Sequence, residues 1–66
     1  MQITLNGEPH EIDTGATVAA LIEARGLADK ACAAEVNGAL VPKAQHGETV
    51  IGEGDRVELV TLVGGG

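Results

Sequence analysis

Arg56-Val57-Glu58-Leu59-Val60-Thr61-Leu62-Val63 is the stretch that decides the fold of this chain. It is the longest run rich in β-branched and aliphatic residues, which marks it as a strand. Apolar residues at both parities place that strand in the middle of a sheet, covered on both edges. Successive side chains of a strand point to opposite faces, so Val57, Leu59 and Thr61 share one face and Val60 and Leu62 the other. Giving Val57 and Leu59 to the core keeps Arg56 and Glu58 in water. Val60 and Leu62 are then left on the open face.

The rest of the chain supplies partners for that strand. Met1, Ile3 and Leu5 alternate with Gln2, Thr4 and Asn6, the period of a half-buried strand. Asn6-Gly7 follows, a strong hairpin signal because both residues tolerate positive φ. Glu8 to Ile12 reads as the return strand, and Pro9, which has no N–H to donate, puts it at a sheet edge. Thr17 is placed to cap a helix whose apolar stripe is Val18, Leu21 and Ile22. Gly26 sits where a left-handed residue ends a helix, with Leu27 as the hydrophobic contact that closes the cap. Cys32, Ala34 and Val36 alternate with Ala33, Glu35 and Asn37 as a third strand. Asn37-Gly38 is a second hairpin signal, and Leu40-Val41 a short strand stopped by Pro42. Lys43 to Thr49 reads as polar and irregular, Val50-Ile51 as apolar anchors, and Gly52-Glu53-Gly54-Asp55 as a tight turn. The expected order is β-β-α-β-β-β, an α+β grasp in which one sheet curls over one helix.

Composition narrows the function. With 66 residues there is one small domain, and one cysteine allows no internal disulfide. The net charge of −6 repels phosphate backbones, and the absence of Phe, Tyr and Trp removes the stacking used to hold single strands. Nucleic-acid binding is therefore not expected. No apolar run is long enough to span a bilayer, and Met1-Gln2-Ile3-Thr4 has no basic n-region with an apolar h-region after it as a signal peptide would, so a cytoplasmic location is expected. Two histidines and one cysteine give no recognisable zinc spacing, and no metal site is expected.

The chemistry-bearing side chains offer little. Cys32 faces the core on alternation, where cysteine behaves as a small hydrophobe. His10 and His46 read as solvated residues of an edge strand and a loop. The acidic residues around Gly52 and Gly54 would repel phosphate, so that segment reads as a turn and not as a nucleotide loop. With no nucleophile–base pair and no cofactor motif, an independent enzyme is not expected.

The residue blocks carry a resemblance. Met1 to Glu8, Thr17-Val18-Ala19-Ala20-Leu21, Val36-Asn37-Gly38-Ala39-Leu40-Val41-Pro42, Gly54-Asp55-Arg56-Val57-Glu58-Leu59-Val60 and the terminal Gly65-Gly66 together resemble the ThiS family, the sulfur carriers of thiamine biosynthesis. The resemblance implies a ubiquitin-like β-grasp with a mixed sheet of about five strands. It also implies a C-terminal glycine carboxylate that is adenylated and converted to a thiocarboxylate, which donates sulfur for thiazole formation. Carried over by position, Gly66 is the reacting residue and Gly65 the second member of the motif, while Gly64 lengthens the tail. Residues 1–63 would form the domain and 64–66 a flexible glycine tail. The chain itself would bind no cofactor. ATP would be used by a ThiF-type adenylating enzyme, and a ThiG-type thiazole synthase and a sulfur donor protein would complete the partners of a carrier that is monomeric when free. Ubiquitin-like proteins bind partners through the open sheet face, which makes Val60 and Leu62 the expected docking residues.

Two other readings share these blocks. One is a carrier for another pathway, molybdopterin or cysteine. The other is a TGS-like binding module that performs no carrier chemistry. Such modules are pieces of longer chains and do not rely on a free Gly-Gly end, so the stop at Gly66 favours a carrier.

Overall fold

The computed structural model describes residues 1–28 and 30–61. The expected boundary between domain and tail, after Val63, lies outside them. Among the described residues the order is β1 (Gln2–Leu5), β2 (Glu8–Glu11), α1 (Val18–Ala24), β3 (Cys32–Val36), β4 (Ala39–Val41), a 3-10 turn (Lys43–Gln45) and β5 (Arg56–Thr61).

Both hairpins turn as their Asn-Gly pairs dictate. Asn6 and Gly7 have φ of 50° and 83°, and Asn37 and Gly38 have 53° and 85°. Positive φ at both central residues matches the twist of the flanking strands, which is why Asn-Gly is favoured there. The two asparagines do more than turn. Asn6 Oδ1 accepts from the Leu59 N–H at 2.9 Å, and Asn37 Oδ1 accepts from the Arg56 N–H at 2.9 Å. Each hairpin tip thus fastens itself to β5.

The strands form one sheet in the order β2-β1-β5-β3-β4. β1 and β5 run parallel, with Thr4 opposite Arg56 and Leu5 opposite Val57. The other pairings are antiparallel. β5 is therefore central and β2, with Pro9, is an edge, both as the sequence implies.

α1 covers one face. Its first turn leaves N–H groups without helical partners. Thr17 Oγ1 accepts from Ala20 N at 3.1 Å, while the carbonyls of Thr49 and His46 accept from Val18 and Ala19 at 3.0 and 2.8 Å. At the other end Gly26, with φ of 75°, donates to Glu23 O, and Leu27 donates to Ile22 O. This pair of bonds is the Schellman closure, and Leu27 packs against the core beside it. The stripe Val18, Leu21 and Ile22 meets Ile3, Leu5, Ala34, Val41, Ile51, Val57 and Leu59 in the core.

Four expectations need correction. His46 is not a solvated loop residue: it is 8% exposed, and its Nε2 lies 3.0 Å from Val41 O. A carbonyl can only accept, so Nε2 carries the proton in that bond. The ring closes the space between β4 and the loop, and its backbone carbonyl caps α1. Val50 and Ile51 do not anchor together. Ile51 is buried, whereas Val50 is 61% exposed and bridges Thr17 through its backbone. Lys43 to Thr49 is not wholly irregular, because the 3-10 turn after Pro42 starts the path that brings His46 and Thr49 to the helix. His10 is partly buried, opposite Ile3 on the core side of β2.

The Gly52–Asp55 turn has its own titratable group. Asp55 accepts from Gly52 N at 2.7 Å and from Asn37 Nδ2 at 3.1 Å. The Gly52 amide first, and the Asn37 amide second, hold its carboxyl below the usual carboxylate value, against a smaller opposing effect of burial. A depressed folded pKa contributes stability above the unfolded value, which is lost as pH falls through the folded one. Asp55→Asn is expected to be less stable than the unsubstituted chain at pH 6. That difference should shrink as pH drops below about 4, and urea unfolding across that range checks it.

Candidate functional site

The candidate site is the end of β5 and the open sheet face beside it. β5 pairs with β1 only at Arg56 and Val57, but with β3 from Val57 to Thr61. Its last residues therefore run on past β1, held on one side by Ala33 and Cys32. The core parity is as expected: Val57 is fully buried and Leu59 is 7% exposed. Val60 is 56% exposed, so its assignment to the open face holds. Leu62, Gly64, Gly65 and Gly66 lie outside the described residues.

Register adds neighbours that the sequence could not supply. Glu58 stands opposite Glu35, and Glu35 stands opposite Leu40 on its other side. Leu40 is the most exposed large aliphatic among the described residues, at 67%. The open face thus carries Leu40, two facing carboxylates and Val60. The parity of β3 places Glu35 outward in the sequence, but pairing it with Glu58 requires the register.

The remaining candidates are structural. Cys32 is partly buried and packs against the core from the first position of β3. Among the described residues no group of three His, Cys, Asp or Glu side chains could hold a metal ion. The Gly52 amide, which a phosphate loop would offer to its ligand, is taken by Asp55. No helix among the described residues is long and apolar enough to cross a membrane.

Comparison with known proteins gives these features a context. Residues 3–66 match the family described as ThiS, so the match runs through the terminal glycines. The crystal structure of a thiamine biosynthesis protein (ThiS) from Geobacter metallireducens superposes with a TM-score of 0.84 at 30% identity, covering 100% of both chains. A thiazole synthase of Magnetococcus marinus is 41% identical over all 66 residues, and the chain spans 20% of that relative. A thiazole synthase of Paramagnetospirillum magneticum is 33% identical over the same length, again with the chain spanning 20% of it. The chain thus spans about a fifth of these curated relatives. With the superposition and the family match over residues 3–66 in agreement, this chain belongs to the ThiS family and has its ubiquitin-like β-grasp fold.

Proposed function

We propose that the chain is a sulfur carrier of thiamine biosynthesis that works through a thiocarboxylate at Gly66. The observation that carries this reading is the family match over residues 3–66, which takes in both the central strand and the Gly65-Gly66 end. A terminal carboxylate has an ordinary pKa of about 3.3–3.7, so it is an anion at pH 7 and a poor electrophile. Adenylation by ATP releases pyrophosphate and converts one carboxylate oxygen into part of a leaving group. A sulfur nucleophile then attacks the acyl carbon, and the C–O bond to AMP breaks. In this reading a partner, an adenylating enzyme of the ThiF type, brings the ATP site; the Gly52 amide of the glycine-rich turn, already bonded to Asp55, is in keeping with that.

Glycine suits the reacting end because, without Cβ, its backbone enters a narrow channel in the partner. The acceptor of the sulfur is a thiazole synthase. The similarity of the whole chain to a part of two thiazole synthases supports that pairing. The experiment is ATP–pyrophosphate exchange by the adenylating enzyme. Exchange that depends on this chain is expected, and exchange indifferent to its presence overturns the reading.

Docking in this reading uses Val60, with Leu62 as its neighbour of the same parity. Val60 is exposed, so Val60→Asp should leave the unfolding midpoint nearly unchanged. It should weaken the complex with the adenylating enzyme or the synthase by about 1–3 kcal/mol if it sits at the centre of the contact. Calorimetric titration checks this, and unaltered affinity for both partners removes Val60 from the interface.

A further inference from the structure

Asparagine is a thermolabile residue, most of all before glycine, whose backbone nitrogen no Cβ shields. Both hairpin tips of this chain are such pairs, Asn6-Gly7 and Asn37-Gly38. The glycine nitrogen can attack the side-chain carbonyl carbon of the asparagine. A C–N bond forms, the C–N bond to Nδ2 breaks, ammonia leaves, and a succinimide ring results. Water then opens the ring at either carbonyl to give aspartate or isoaspartate. The balance consumes one water and releases one ammonia, with no other reagent. Asn6, Gly7, Asn37 and Gly38 are all exposed. Beyond the chain neighbours, no atom lies within 4 Å of where a Cβ on Gly7 or Gly38 would stand, so water reaches both tips.

The two amides are held differently. The attack carries the side-chain carbon onto the glycine nitrogen and releases Nδ2, so hydrogen bonds that fix the amide oppose it. Asn37 is held at both ends: Oδ1 accepts from Arg56 N at 2.9 Å, and Nδ2 donates to Asp55 Oδ1 at 3.1 Å. Asn6 is held at one. Its Oδ1 accepts from Leu59 N at 2.9 Å, and its Nδ2 has no partner among the described residues. The backbones do not separate the tips, since φ of 50° and 83° at one compares with 53° and 85° at the other. Both asparagine N–H groups also donate to β5, to Val57 O and to Arg56 O.

We propose that Asn6 is a spontaneous modification site, converting to aspartate and isoaspartate and loosening β5 in the isoaspartate form, while the bond from Asn37 to Asp55 protects the other tip. A hydrogen bond to a carboxylate is among the stronger ones, so Asn6 should convert about tenfold or more faster than Asn37. The product matters because Asn6 fastens β5 at Leu59, the residue before Val60. Aspartate keeps a side-chain oxygen for the Leu59 N–H. Isoaspartate adds a main-chain carbon to a turn of two residues, and the fastening is lost.

The folded chain, incubated at mildly alkaline pH, gives the rates. Peptides covering each tip are followed by mass and by fragmentation that separates isoaspartate from aspartate. The same incubation in urea is the reference, where both tips are free and should convert at similar rates. Asp55→Ala removes the second bond on Asn37 and should raise conversion there to about the rate of Asn6, with Asn6 itself unchanged. Asn6 is thus the internal control, because unfolding of the variant would speed both tips. The purified isoaspartate form should unfold at a lower midpoint than the fresh chain. Equal rates at the two tips of the folded chain overturn the proposal, as does faster conversion at Asn37. So does an Asn6 that stays intact while the urea reference converts. A rate at Asn37 that ignores Asp55→Ala, or that rises only together with the rate at Asn6, overturns it too, and so does an isoaspartate form as stable as the fresh chain.

Discussion

A chain shortened by Gly66 is expected to take up no sulfur. The acyl carbon that reacts in the proposed mechanism is the carboxyl carbon of that residue, and removing it puts Gly65 one residue short of the partner's reacting groups. One residue of extended chain spans about 3.3–3.6 Å, while a misplacement of about 1 Å already costs on the order of a hundredfold in rate. The loss should therefore be complete within detection. The fold should not notice, because every core residue named above lies between Ile3 and Leu59. Circular dichroism and the urea midpoint are expected to match those of the full chain. Loading at the normal rate with Gly66 removed excludes this residue as the reacting end.

Ile51→Ala is expected to destabilise the domain by about 2–5 kcal/mol, the range for losing a buried isoleucine to a cavity. Ile51 is 1% exposed, and its N–H donates to Ala16 O at 2.9 Å, so the side chain is held in place by the backbone that carries it. A chain of 66 residues has roughly 3–10 kcal/mol of total stability at the usual value per residue. The substitution therefore removes a large share and should leave a measurable unfolded fraction at 37 °C. Its neighbour is the control. Val50 is 61% exposed, and Val50→Ala should change stability by about 0.5 kcal/mol or less. Equal effects at the two positions would show that this segment packs differently.

That contrast marks where the sequence stops being legible. Strands β1, β3 and β5 follow from alternation, because a single helix can cover only one face of the sheet. The hairpins follow from Asn6-Gly7 and Asn37-Gly38, and the helix ends from Thr17 and Gly26. Local chemistry decides each of these. His46 is different. It lies in a polar run without periodicity, and its burial depends on a 3-10 turn and on a carbonyl of β4. The loop owes its course to helix N–H groups that need acceptors, a demand made by a distant part of the chain. The side-chain roles of Asn6 and Asn37 are hidden for the same reason, since their bonds to Leu59 and Arg56 cross 53 and 19 residues.

The candidate site divides along the same line. Alternation of charge and aliphatic residues assigns the two faces of β5, and Val57, Leu59 and Val60 are found where that pattern puts them. The facing of Glu35 and Glu58 depends on strand register, which neither strand encodes alone. The role proposed for Gly66 rests on resemblance and not on periodicity. A glycine carries no side-chain signal, and its chemistry belongs to a carboxylate that any chain end shares.

Sulfur carried at that carboxylate changes the mass of the chain. Intact-mass measurement after incubation with the adenylating enzyme, ATP and a sulfur source is therefore the decisive experiment. A gain equal to exchange of one oxygen for one sulfur is expected, dependent on ATP and located at Gly66 by fragmentation. An unchanged mass under conditions that load another ThiS-family carrier, or a sulfur adduct located at Cys32, would contradict it.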